Sequence, residues 1–114
     1  QRLLAQAADP NLKVNLDVGH AFLTDPDVTA SIRALGRDIV HTHIEGMPAG
    51  THKHLVPGEG DLDLLAVHQA LAGIGFSGYY TVDLFNIADD PGHYARRSSE
   101  ALRAIMGHEV LVSL

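Results

Sequence analysis

The chain has 114 residues, enough for one ordinary domain, and its 46% hydrophobic and 19% charged content allows a buried core and excludes a chain disordered by composition. A formal net charge of −6 provides no basic footprint for a phosphate backbone and argues against a nucleic-acid partner. Without cysteine there is neither a disulfide nor a thiolate zinc site, and no apolar run is long enough to span a bilayer, so the expectation is a cytoplasmic protein with no membrane partner.

The chain opens at Gln1 inside a stretch that already reads as helix (QRLLAQAAD), and an opening in mid-element suggests a fragment. Residues 13–18 (KVNLDV) follow as a strand, with Val14, Leu16 and Val18 alternating against Lys13, Asn15 and Asp17 at a period of two. GHAFLTD then reads as a loop, Asp25 as a helix N-cap, Pro26 as the first helical position and Gly36 as the residue that ends the helix. A second strand spans residues 38–44 (DIVHTHI), with Ile39, His41, His43 and Glu45 on one face and Val40, Thr42 and Ile44 on the other. A long loop, residues 46–60, leads to a helix near residues 62–72 that either Asp61 or Asp63 can cap. The third strand, residues 79–85 (YYTVDLF), places Tyr79, Thr81, Asp83 and Phe85 on one face. NIADDPG then leads to a helix near residues 93–106, packing through Ala95, Ser98, Ala101, Leu102 and Ile105. The apolar tail HEVLVSL reads as a short strand or a docking segment.

Strands alternating with helices imply a parallel sheet with right-handed crossovers, an α/β class. One face of each strand is aliphatic, and the other carries Asn15, Asp17, His41, His43, Glu45, Thr81 and Asp83. A polar inner face converging at strand C-termini fits a barrel with a site at its mouth, and a (β/α)₈ TIM barrel needs roughly 250 residues. The expectation is a single partial domain over residues 1–114, the C-terminal three βα units of such a barrel, with parallel strands and outer helices. Three strands leave both sheet edges open, so the isolated chain is expected to be poorly stable and to self-associate, a homo-oligomer included.

Asp17, His43 and Asp83 each close one strand, and three metal-type ligands at consecutive strand ends point to one shared site. Asp17-x-x-His20 can reach one cation or one substrate; alternatively Asp17 caps a turn and His20 is a surface residue. His43, nearest the strand end, is the preferred ligand of its strand, and His41, one layer deeper, reads as a hydrogen-bonded histidine behind the site. Glu45 stands at the mouth as a group for substrate or proton transfer, or as a solvated charge. His52 and His54 on the long loop either complete a second metal site, grip a polar substrate or are exposed. Asp83 inside an apolar strand needs a metal, strong hydrogen bonds or a salt bridge to Lys13 or an arginine.

The stretches LDVGHAF, IVHTHIEG, HKHLVPGEGDLDL and GFSGYYTVDLF together resemble, in order, the xylose isomerase-like TIM-barrel superfamily of sugar isomerases, ketose 3-epimerases, inosose dehydratases and endonuclease IV. The resemblance implies one divalent cation, manganese or magnesium first and zinc or cobalt after them, held by a Glu on an earlier strand, by Asp17, by His43 and by the residue at Asp83. The family usually has Glu at that last place, where it also acts as an acid/base. His20 matches a histidine that contacts substrate. The implied chemistry is proton transfer next to a carbonyl of a small-molecule sugar or polyol, through an enediolate. The rivals are a metal-dependent lyase or dehydratase, an endonuclease IV-like hydrolase (whose Asp-x-His on the long loop is His-x-His here) and a non-catalytic barrel relative.

Overall fold

The computed structural model describes residues 1–107; the tail assigned above to a strand or docking segment, with His108, lies outside the described residues. Helix α1 (Arg2–Ala7) precedes strand β1 (Val14–Asp17), helices α2 (Val18–Thr24) and α3 (Val28–Leu35), and strand β2 (Ile39–Ile44). Helix α4 (Leu64–Gly73), strand β3 (Tyr80–Val82) and helix α5 (Pro91–Met106) complete the order. The strands form one parallel sheet in the order β1-β2-β3, as the alternation of strand and helix requires.

The core lies between this sheet and its helices. Leu16 and Val18 from the first unit, Ile32 of α3, Ile44 of β2, and Val67 and Leu71 of α4 form one buried cluster. The opposite sheet face carries the polar set. Asn15 pairs with His41, Asp17 with His43, and His43 with Thr81, so like-facing polar side chains stand side by side across all three strands.

Several sequence expectations are corrected. GHAFLTD is mostly helix, because the Asp17 carboxylate accepts the His20 N–H at 3.0 Å and caps α2 directly at the strand end. The cap of α3 is Asp27, accepting from the Ala30 N–H at 3.1 Å, while Asp25 ends α2 and accepts from the Ser31 hydroxyl at 2.7 Å. A register shift opposite the Val14–Asn15 step leaves Val40 without a partner on β1, so Ile39 joins the core cluster and Val40 stands 52% exposed. β3 is only three residues long, although Asp83 still donates its N–H to the Ile44 carbonyl at 3.1 Å. Of the two candidate caps, Asp63 starts α4, and α5 starts early at Pro91 under an Asp90 cap. Ala95 is exposed, and α5 packs through Ser98, Leu102 and Ile105.

The long loop closes on itself. Gly46 and Leu55 exchange both backbone hydrogen bonds, at 2.8 and 2.9 Å, and Met47 bridges Gly60. Gly60 has a φ of +83° and lies where a Cβ would press on the Met47 carbonyl, so only glycine fits there. The closure brings residues 52–54 back over the strand ends.

The fully buried Ile32 supplies its volume to the contact between α3 and the sheet. Ile32→Ala is expected to cost about 2–5 kcal/mol, against about 1 kcal/mol for loss of the α3 cap in Asp27→Ala, as measured by urea unfolding of each variant.

Candidate metal-binding site

Three strand ends deliver three donors to one place. Asp17 closes β1, His43 is the fifth residue of β2, and Asp83 immediately follows β3. One donor atom from each lies within 4.8 Å of the other two, and His43 Nδ1 stands 3.7 Å from Asp83 Oδ2. All three are half-buried. The salt bridge offered above for Asp83 is not formed: Lys13 pairs with Asp38 at 3.0 Å, and the neighbours of the Asp83 carboxylate are His43 and His54. His41 lies one layer below, hydrogen-bonded to the Thr81 hydroxyl at 3.0 Å.

Asp17 both caps and faces the site. Desolvation works to raise its carboxyl, but the His20 N–H, Glu45 and the nearby His20 and His54 hold it below its ordinary value. These contacts favour its ionised form.

Glu45 is where structure and sequence differ most. It is fully buried rather than a solvated charge at the mouth. Its Oε1 accepts the Gly19 N–H at 2.7 Å, and its Oε2 is buried without a hydrogen-bond partner. Burial, with the adjoining Asp17 carboxylate, pushes its carboxyl up to about 9 against the pull of the Gly19 N–H. Gly19 makes the space, since a Cβ there would collide with Glu45 Oε1 and come within 2.6 Å of the Met47 methyl. Gly19 is a site residue that the sequence analysis missed; its only signal was its position two residues after the strand-end acid.

The loop histidines form a second cluster with His20. His52 Nε2 lies 3.1 Å from His20 Nε2 and 3.0 Å from His54 Nε2. His54 Nδ1 is 2.7 Å from the Asp83 carbonyl, which only accepts, so this nitrogen carries the proton and Nε2 turns a lone pair toward the cluster. The His54 side chain is covered and stacks on Phe85, at 4.2 Å between ring centres, while His20 and His52 are exposed. The remaining described helix histidines stay outside the site: His68 bonds to the Tyr80 hydroxyl at 2.8 Å, and His93 lies in the first turn of α5.

A parallel α/β sheet with donors at the carboxyl ends of its strands defines the class: a segment of a TIM barrel with its site at the mouth. Residues 1–105 match the Xylose isomerase-like TIM barrel family, and the chain belongs to that family. The fructoselysine 3-epimerase of Escherichia coli O157:H7 is 29% identical over 104 residues, a match covering 90% of this chain and 38% of the epimerase. The chain thus spans well under half the length of the curated relatives it matches. A xylose isomerase domain protein from Planctomyces limnophilus superposes with a TM-score of 0.77 at 20% identity, over 99% of this chain and 43% of that one. A D-psicose 3-epimerase from Clostridium cellulolyticum H10, solved with D-tagatose, gives a TM-score of 0.72 at 23% identity, over 92% of this chain and 40% of that one. These structures bear out the barrel fold. No helix among the described residues is long and apolar enough to cross a membrane.

Glu45 has a signed consequence for stability. Its folded value lies above its ordinary 4.5, so between there and about 9 the folded chain keeps a proton that the unfolded chain has released. In chelator-treated protein the Glu45 contribution is therefore complete below its ordinary value and lost as pH rises toward 9. Asp17, lowered from 3.8, acts with the opposite sign and only below that value, so the two windows do not overlap. Thermal melts against pH are expected to show Tm falling on the alkaline side in the wild type and a flatter profile in Glu45→Gln.

Proposed function

We propose that this chain supplies three ligands, Asp17, His43 and Asp83, to the divalent-cation centre of a sugar or polyol isomerase or epimerase that moves a proton next to a carbonyl. The observation that carries the proposal is the convergence of those three side chains from three successive strand ends. The donor set fits the ion: two carboxylates and one imidazole suit manganese or magnesium, and also accept zinc or cobalt. Among the described residues, no lysine or arginine pairs with Asp17, Glu45 or Asp83 to balance their charge. When bound, the cation supplies a Lewis acid for the substrate carbonyl and its neighbouring hydroxyl.

The chain's own residues hold the substrate and move the proton. Asp83 is the acid/base; it lies against His43 Nδ1 and His54 Nδ1, each 3.7 Å from its Oδ2. Being one methylene shorter than the family's usual Glu, it reaches less far into the site. His20, exposed above Asp17, contacts the substrate. Glu45 lies too deep to meet substrate directly, and its place in proton transfer is to set the charge beneath Asp17. His52 and His54, joined by His20, form a second donor set, and three imidazoles favour zinc over manganese. The substrate is a small molecule, in keeping with the epimerase names among the relatives and with the acidic charge.

Elemental analysis after reconstitution tests the centre. One equivalent of manganese is expected in the wild type and none in Asp17→Ala or His43→Ala. Zinc is expected to add a second equivalent, which His52→Ala removes without touching the first. A wild type that takes up no cation would sink the proposal. With manganese bound, a ketose panel in deuterium oxide is expected to show deuterium entering at the carbon beside the carbonyl, at a rate reduced about 10²-fold or more by Asp83→Asn.

A further inference from the structure

The cation centre proposed above draws on three side chains, two of them carboxylates, yet a third carboxylate lies beside it with one oxygen unpaired. Glu45 follows His43 by two residues and therefore shares its inward face. It is completely buried, and one of its two oxygens makes no hydrogen bond. A buried polar atom left unpaired costs on the order of 1–3 kcal/mol, more when charged, so the arrangement calls for a partner that a carboxylate oxygen can accept.

The groups beside this carboxyl are two more carboxylates and an imidazole. A Glu45 carboxylate oxygen, an Asp83 carboxylate oxygen and a His54 ring nitrogen lie within 4.8 Å of one another, and Asp17 adjoins Glu45 on the other side. The other Glu45 oxygen is fixed by the Gly19 N–H, and the absence of a side chain at Gly19 is what admits it. Asp83 belongs both to this set and to the set it forms with Asp17 and His43, so Glu45 borders the proposed centre through Asp83, and among the described residues the bases paired with these carboxylates are imidazoles. Convergent acceptors without a lysine or arginine are the surroundings of a hard cation.

We infer that Glu45 is a ligand of the same cation, through the oxygen not held by Gly19, so that this chain supplies Asp17, His43, Glu45 and Asp83. The assignment builds on the proposed centre and adds a donor to it. It also explains why a glycine follows so closely on Asp17: Gly19 admits the ligand that completes the set.

Calorimetric titration of metal-stripped protein with Mn²⁺ decides the matter. The wild type is expected to bind one ion. Glu45→Gln keeps an oxygen for the Gly19 N–H but loses the charge, and it is expected to bind at least about tenfold more weakly. Unchanged affinity in a folded Glu45→Gln would overturn the assignment and leave Glu45 a neutral acid packed under Asp17. If circular dichroism shows that variant unfolded, Glu45→Asp replaces it, retaining the charge but withdrawing the oxygen by one methylene; weaker binding supports the assignment and wild-type binding overturns it. A wild type that binds no Mn²⁺, or an Asp17→Ala variant that binds it undiminished, overturns the centre itself and the Glu45 assignment with it.

Discussion

The parallel register of the three strands is the constraint from which the site follows. Pairing Asp17 with His43, and His43 with Thr81, places the end of β1 beside the end of β2 and leaves Asp83 one step past β3. Side chains alternate along a strand, so a slip of one residue would turn His43 into the helix-packed core and Ile44 into the site. Burial of Leu16, Val18 and Ile44 on the opposite face prevents that slip. The same apolar packing that stabilises the sheet therefore sets the spacing of the donors, and no separate device is needed to align them.

Much of this was legible in the sequence because it depends on period. Alternation of Val14, Leu16 and Val18 with Asn15 and Asp17 identified both the strand and its polar face, and the face settled the direction of Asp17. The chain resembled a barrel family through short stretches in fixed order, and the family match and the structural neighbours bear this out. Capping was legible in kind but not in place. Asp25 and Asp27 flank the same proline, and the choice between them depends on the end of α2, which local pattern did not reveal. α2 itself was missed because a strand that turns straight into a helix leaves no loop composition to read, and its cap doubles as the strand's last residue.

What the sequence withheld is tertiary. The unpaired Val40 obeys no local signal, since the shift arises from the fit between β1 and β2. Glu45 is the larger case. A glutamate at a strand end reads as a solvated group, and only the fold shows that Gly19 opens the space that Glu45 fills beside Met47. A glycine 26 residues away in the chain makes that burial possible, and nothing local advertises it.

The electrostatics follow from this burial. Asp17 is held ionised by the His20 N–H and nearby imidazoles, whereas Glu45, a few ångströms away, is pushed toward its neutral form by desolvation and by Asp17 itself. Two carboxylates made unequal by their surroundings share one charge between them more readily than two equal ones. A divalent ion held at the proposed centre would meet one carboxylate already ionised and a second that its field would favour ionising. With Glu45 neutral, the chain folds without the full repulsion of a buried charge beside two half-buried carboxylates. In the centre proposed above, stability and affinity would then rest on the same residues, the neutral Glu45 sparing the fold a charge that the cation would call on.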